Sequence, residues 1–412
     1  MKTLYKEVKL IYPGTPEHGR KFDVLVENGL IKKIGKGLTV KADSVKDQKG
    51  LLCFPGLMDT QCSVGEPGFE HKESFDSLTK AAKAGGFTDV ILLPNTEPVV
   101  DNRAQIEFVQ RASGTNVVTL HAYGAITKST DGKELSEMFD MHQSGAVAFS
   151  DGKKPITDVN MMKRALDYTR SFDGIVVSYP MDDRIAPGGM VNESESNTLL
   201  GLKSTPELAE EIMLNRDLYL LNYTKGRMHV SSISTTGSLS LIKQAKKDGL
   251  GISCAVTLAS LLFDEGRLEE FDTNFKTQPP LRSVKTSKAL LKAISLGLID
   301  VISADHLPQE IESKDVEFDH ASFGMTMLET ALSAINMNLI GEVAWDDIIR
   351  ALAINPRNIF GLPQPKFSEK SSFDFTVFDP NSEWEYTVKN CFSKSHNSPY
   401  INQTLRGKVI SN

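Results

Sequence analysis

From Phe54 onward the chain repeats one unit: a short apolar run, a loop and an amphipathic helix. This rhythm constrains the fold more than any other feature, because strands that alternate with helices have to line up in parallel with the helices packed over the sheet. The run beginning at Phe54 opens the series, and further strands are expected at 88–93, 117–123, 146–149, 174–178, 227–233, 251–256 and 299–304. Helical stretches fall between them, at 74–84, 158–171, 238–247 and 287–295. Thr205-Pro206-Glu207 places a capping hydroxyl, a proline for the first turn and an acid near the positive end of the dipole ahead of a helix over 208–216. Gly249, Gly251 and Gly297 fall where helices give way to strands. Eight such strands over about three hundred residues make a (β/α)8 barrel of the TIM type, an α/β fold. A doubly wound open sheet is the competitor, but no Gly-x-Gly-x-x-Gly follows the first strand.

The two ends of the chain read differently. Residues 8–12, 22–26 and 30–34 are short β-rich runs, and Glu27-Asn28-Gly29 between the last two is a hairpin signal. Past Pro363 the text turns β-like again, at 373–378, 385–388 and 403–409. The economical reading is a barrel over 54–365 and a discontinuous small β-sandwich domain from 1–53 and 366–412.

Charge and composition exclude some functions. With 46 Lys+Arg against 53 Asp+Glu the formal charge is -7, and no basic stripe suited to a phosphate backbone is present, so nucleic acid is not an expected partner. The first ten residues carry charges where a signal peptide has its apolar core, and no apolar stretch is long enough to cross a bilayer. A soluble, cytoplasmic protein with no membrane partner is expected. The four cysteines, at 53, 62, 254 and 391, lack Cys-x-x-Cys spacing, which argues against both a disulfide framework and a zinc knuckle.

The run Phe54-Pro55-Gly56-Leu57-Met58-Asp59-Thr60-Gln61-Cys62-Ser63-Val64-Gly65-Glu66-Pro67-Gly68 resembles the metal-binding strand of a metallohydrolase. Positions two apart on a strand share a face, so such strands carry His-x-His to hold one ion. Here Gln61 and Ser63 stand at those positions, and a neutral amide and a hydroxyl are weak ligands for a transition metal. Without any resemblance, the two residues read as a polar lining at a strand end. Cys62 between them points to the other face of a regular strand.

Further segments extend the likeness along the chain. Glu66-Pro67-Gly68-Phe69-Glu70-His71-Lys72-Glu73, Pro94-Asn95-Thr96-Glu97-Pro98, Ala148-Phe149-Ser150-Asp151-Gly152, Gly201-Leu202-Lys203-Ser204-Thr205-Pro206, Lys276-Thr277-Gln278-Pro279-Pro280-Leu281-Arg282, Ala304-Asp305-His306 and Phe323-Gly324 follow in order. Together they resemble the dihydroorotase branch of the amidohydrolase superfamily. The resemblance implies a metal-dependent barrel flanked by a small β-sandwich from both termini. It also implies an activity, the interconversion of dihydroorotate and N-carbamoyl-aspartate, in which zinc activates water and polarises the carbonyl while an aspartate of the last strand handles the proton.

The implied roles fall on this chain as follows. The first-strand ligands become Gln61 and Ser63, and the arginine expected to grip the substrate carboxylate becomes Gly65. A bridging carboxylate is kept as Asp151, whereas a second acid after it is Gly152. A later ligand position holds Pro180; the His-x-x-His pattern keeps His229 but has Ser232 at the ligand position; and a pair of histidines after a later strand is replaced by Ala259 and Ser260. Asp305 is the candidate general base, Gln309 replaces a substrate-holding histidine, and Gln278 stands for an asparagine. Asn95, Phe323 and Gly324 match substrate-contacting positions, although Asn95 also reads as an Asx turn and His229 as a structural histidine.

Asp151 and Asp305 are then the only residual metal candidates, and two carboxylates without nitrogen donors make a poor zinc site. Without the ion, the pKa of the water rises from near 7 toward its far higher bulk value. No cofactor is therefore expected, zinc entering only if the chain is active. Three readings stand. The first is a catalytically impaired dihydroorotase-like protein of pyrimidine biosynthesis, a homodimer or hetero-oligomer acting as a structural or regulatory partner, for example of aspartate transcarbamoylase. The second is an active dihydroorotase with an altered metal site. The third is a binding protein for a small ureido or carboxylate compound.

Overall fold

The computed structural model describes residues 2–410. Eight parallel strands form one sheet in strict chain order: β1 (Leu57–Cys62), β2 (Phe87–Leu92), β3 (Thr119–Gly124), β4 (Ala148–Phe149), β5 (Val176–Ser178), β6 (Met228–Val230), β7 (Ile252–Thr257) and β8 (Val301–Ser303). Every residue of β1 is buried, as a barrel strand covered on both faces requires. The backbone N–H of Ser63 donates to the carbonyl of His306 at 2.8 Å, which joins the first strand's end to the last. The Asp59 carboxylate, wholly buried in β1, completes this seam by accepting from Ser303 Oγ (2.7 Å) and from the backbone N–H of Ala304 (2.8 Å) at the end of β8.

Local chemistry starts most of the outer helices. Ser74 caps Phe75–Ala84 in a reciprocal box with Ser77, Asp158 caps Val159–Arg170, Thr235 caps Thr236–Lys247 and Ser283 caps Val284–Ser295. The expected cap at Thr205 is corrected: Pro206 is the N-cap of Glu207–Thr224 and makes no side-chain cap bond. Thr205 instead belongs to a two-residue strand, Ser204–Thr205, paired with Val191–Asn192. That helix also runs eight residues past its expected end. Its inner face buries Ala209, Met213, Leu214, Leu218 and Leu221, and packing of this kind outweighs end signals.

The chain's two ends meet in a second, seven-stranded sheet. Lys2–Leu10, Lys21–Glu27, Leu30–Gly35, Ser44–Lys46 and Leu52–Pro55 join Phe375–Tyr386 and Gln403–Val409. Asn28 and Gly29 both have positive φ, 50° and 75°, which is the type I′ geometry of the expected hairpin. The runs at 373–378 and 385–388, expected as two strands, are one strand that bulges between Asp379 and Glu383 and so absorbs Pro380 without breaking. Tyr5, Val8, Leu10, Val24, Ile31 and Val377 give this sheet an apolar core separate from the barrel's. Phe54 stacks on Trp345 at 6.1 Å, and the Thr376 hydroxyl donates to Gly86 at 2.6 Å; both fix the small domain against the barrel's N-terminal end.

Candidate functional site

The residues singled out in the sequence gather at the C-terminal ends of the barrel strands, where the loops of this architecture carry chemistry. Gln61 is buried at the end of β1. Its amide donates to the Ser231 carbonyl at 2.5 Å and to Ser232 Oγ at 3.2 Å. The two expected ligand positions on β1 and β6 thus hydrogen-bond to each other. Ser63 is half-buried beside them. Gly65 is closed to any side chain, since a Cβ there would stand 1.9 Å from the Phe69 carbonyl oxygen and 2.7 Å from that of Glu73.

Asp151 does not face the mouth as a free carboxylate. It accepts from the backbone N–H groups of Ile126 (2.8 Å) and Thr127 (3.0 Å) and from Thr127 Oγ1 (2.5 Å). Burial pushes its carboxyl above the ordinary range despite these bonds. Asn95 donates to the Asp151 carbonyl at 3.2 Å and lies against Gly152, where a Cβ would meet Asn95 Oδ1 at 1.8 Å. The Asn95 side chain therefore bridges to the β4 loop, a longer-range tie than an Asx turn.

Asp305, just beyond β8, adopts φ 51°, a left-handed conformation uncommon for a residue with a side chain. Its partner is Lys153, whose ammonium lies 2.8 Å from each carboxylate oxygen and donates to the Gln278 carbonyl at 2.6 Å. Both side chains are largely buried, and the same ammonium sits 5.5 Å from the Tyr179 ring centroid. Lys153 was not anticipated from sequence. Its one signal was a lysine two residues after the retained Asp151.

The remaining positions are held by neighbours. Gln309 donates to the Phe323 carbonyl (2.8 Å) and accepts from Lys72 Nζ (3.0 Å). Gly324 has φ 142° and donates its N–H to the Lys276 carbonyl at 3.0 Å. Pro180 is buried and offers no side-chain donor atom; Ala259 and Ser260 are buried, the latter bonded to Thr257. His306 Nε2 lies 3.4 Å from the buried Glu73 carboxylate, while its Nδ1 is without a partner among the described residues. Burial alone would push Glu73 up, but hydrogen bonds from His306, Ser393 and Ser77 hold it below the ordinary range. His229 bonds Ser253 Oγ at 2.8 Å, and burial drives its pKa down to about 3, the setting of a structural histidine. Cys62, expected to point away from Gln61 and Ser63, contacts Asp59 Oδ2 at 2.9 Å.

These donors do not fit a zinc ion. Gln61, Ser63 and Ser232 are neutral oxygen or amide groups, both oxygens of Asp151 and both of Asp305 are engaged, and the Lys153 ammonium lies against the Asp305 carboxylate. Among the described residues no three His, Cys, Asp or Glu side chains converge on a point where an ion could sit. What remains is a cavity of about 400 Å³ at the mouth, bordered by Tyr179, Met181, Thr205, Lys276, Gln278 and Phe323. It could admit a small polar molecule.

The family described as Dihydro-orotase-like matches residues 50–238. The chain is 37% identical over 409 residues to a dihydroorotase of Acetivibrio thermocellus, a match covering 98% of this chain and 96% of that protein. It is 36% identical to a dihydroorotase of Aquifex aeolicus, over 100% of this chain and 97% of that one. Among solved structures, the L-hydantoinase (dihydropyrimidinase) from Arthrobacter aurescens superposes with a TM-score of 0.81 at 19% identity, covering 99% of this chain and 93% of the other. That likeness bears on the fold alone.

Proposed function

The chain belongs to the dihydroorotase-like family, and on that premise we propose that it serves the dihydroorotate step of pyrimidine biosynthesis without running the zinc mechanism itself. Its part is then structural or regulatory, for example alongside aspartate transcarbamoylase. One observation carries this reading: the Lys153 ammonium sits on both oxygens of the candidate base Asp305, while Gln61 and Ser232 satisfy each other where nitrogen ligands would stand. The positive charge beside this carboxylate thus comes from the chain's own lysine, held in a largely buried ion pair.

A second reading has its own support. The full-length relatives are named dihydroorotase, which favours an active enzyme with an altered site. In that case Asp305 moves the proton and Lys153 supplies positive charge at the mouth. A third role, binding of a ureido or carboxylate compound, has the 400 Å³ cavity in its favour.

Metal content and turnover separate these. The protein is purified with zinc supplied, metal per chain is measured by mass spectrometry, and ring closure of N-carbamoyl-aspartate is assayed in parallel. Our reading expects substoichiometric zinc and no turnover above blank. Stoichiometric zinc with turnover would sink it in favour of the active enzyme, and turnover without zinc would place the chemistry on Asp305 and Lys153. Co-purification with a transferase subunit supports the partner role, whereas a thermal shift on dihydroorotate alone supports the binding protein.

A further inference from the structure

A cavity of about 570 Å³ opens where the C-terminal end of the barrel helix Phe75–Ala84 meets the last two strands of the small domain. That volume is in the range of small-ligand sites, which favour boundaries between domains. None of its residues borders the cavity at the barrel mouth.

Its charge runs against that of the chain. The protein carries -7 overall, yet Lys80, Lys83, Lys389 and Lys408 all border this one space. Glu329 is the one carboxylate beside them among the described residues, and it is buried and turned toward the chain. It accepts from the backbone N–H groups of Phe392 (3.0 Å) and Ser393 (3.1 Å) and from the Tyr386 hydroxyl (3.1 Å). Lys80 has an exposed partner in Asp76 at 2.7 Å, whereas Lys83, Lys389 and Lys408 have no ion pair among the described residues. Like charges gathered in this way repel one another, and an anion between them relieves the repulsion.

Aromatic side chains supply the other half of the site. Phe392 is 51% exposed, and the bonds from its own and the next N–H to Glu329 fix the backbone that presents it. Trp384 is anchored as well: its Nε1 donates to the Gly407 carbonyl at 2.8 Å, and the Lys408 ammonium lies 5.8 Å from its ring centroid. Cations beside fixed aromatic rings are the combination that takes a base together with its phosphates. An inorganic anion alone makes no use of the rings, and an uncharged ring makes little use of the lysines.

We propose that this cavity binds an anion of the nucleotide class, its planar ring on Phe392 beside Trp384 and its phosphates among Lys83, Lys389 and Lys408. Calorimetric titration of the full chain tests this with ADP as the probe and with pyrophosphate and adenosine as its separate halves. ADP binds at one per chain and more weakly as salt is raised, and each half binds at least about tenfold more weakly than ADP. Lys389→Glu and Phe392→Ala each raise the Kd for ADP at least about tenfold, or about 1.4 kcal/mol, while the circular dichroism spectrum is kept. Lys285→Glu, the same charge change on the helix Val284–Ser295 and outside the cavity, leaves the Kd as it was. Fluorescence locates the site without those variants, because the chain has two tryptophans and Trp345 is stacked on Phe54. The emission change on adding ADP is therefore lost in Trp384→Phe. No binding of ADP, a half that binds as tightly as the whole, a Kd indifferent to Lys389→Glu or to Phe392→Ala, or an emission change that survives Trp384→Phe overturns the proposal.

Discussion

At the scale of residues, the mouth of the barrel is governed by pairs that satisfy each other. Lys153 and Asp305 are the charged pair among them, a largely buried ammonium and carboxylate 2.8 Å apart. Lys153→Met should cost about 2–3 kcal/mol in urea unfolding, because it strands the Asp305 charge, and Asp305→Leu should cost about as much. The double variant should cost clearly less than the two singles together, and simple additivity would show that the pair is not coupled. His229 gives a pH signature. Its folded pKa near 3 lies below the unfolded value of about 6.5, so on acidification the unfolded chain takes up the proton first and stability falls. Between pH 7 and pH 5 that loss amounts to about 2 kcal/mol. His229→Gln should flatten the stability profile over that interval; an unchanged slope would assign the loss to other groups.

At the scale of elements, the seam between the first and last strands depends on one carboxylate. Asp59 holds both Ser303 and the Ala304 N–H, so Asp59→Ala leaves buried donors unpaired and should destabilise by about 2–4 kcal/mol. Amide exchange should rise first at Ala304 and Ser63, on the two sides of the seam; uniform exchange across all eight strands would contradict a local clasp. The elements themselves were largely legible in the sequence, because strand and helix repeat with different periods and because Ser74, Asp158 and Asn28-Gly29 are local signals read by local backbone. What was not legible was tertiary. Thr205 looked like a cap until a strand partner at Asn192 claimed it, and 375–386 looked like two strands because a bulge leaves no mark in composition. Lys153 and Asp305 lie 152 positions apart, so no spacing could announce that they meet. Gly65 was legible as a missing arginine but not as a closed position, a fact that belongs to the Phe69 carbonyl packed against it.

At the scale of the whole molecule, the family and the barrel were readable because the motifs recur in order along nearly the full chain, whereas the fate of the site depends on contacts between distant loops. The same separation has a consequence for how the small domain is made. Leu52–Pro55 is hydrogen-bonded on one side to the strand Lys2–Leu10 and on the other to Phe375–Tyr386, which is translated more than three hundred residues later. On a ribosome adding about 5–20 residues per second, the early strands wait on the order of tens of seconds for that partner, and the eight barrel strands all emerge in the interval. During synthesis the N-terminal strands are thus an open β-edge beside a nascent barrel, and the interval before the late strand arrives is when this chain most needs a chaperone.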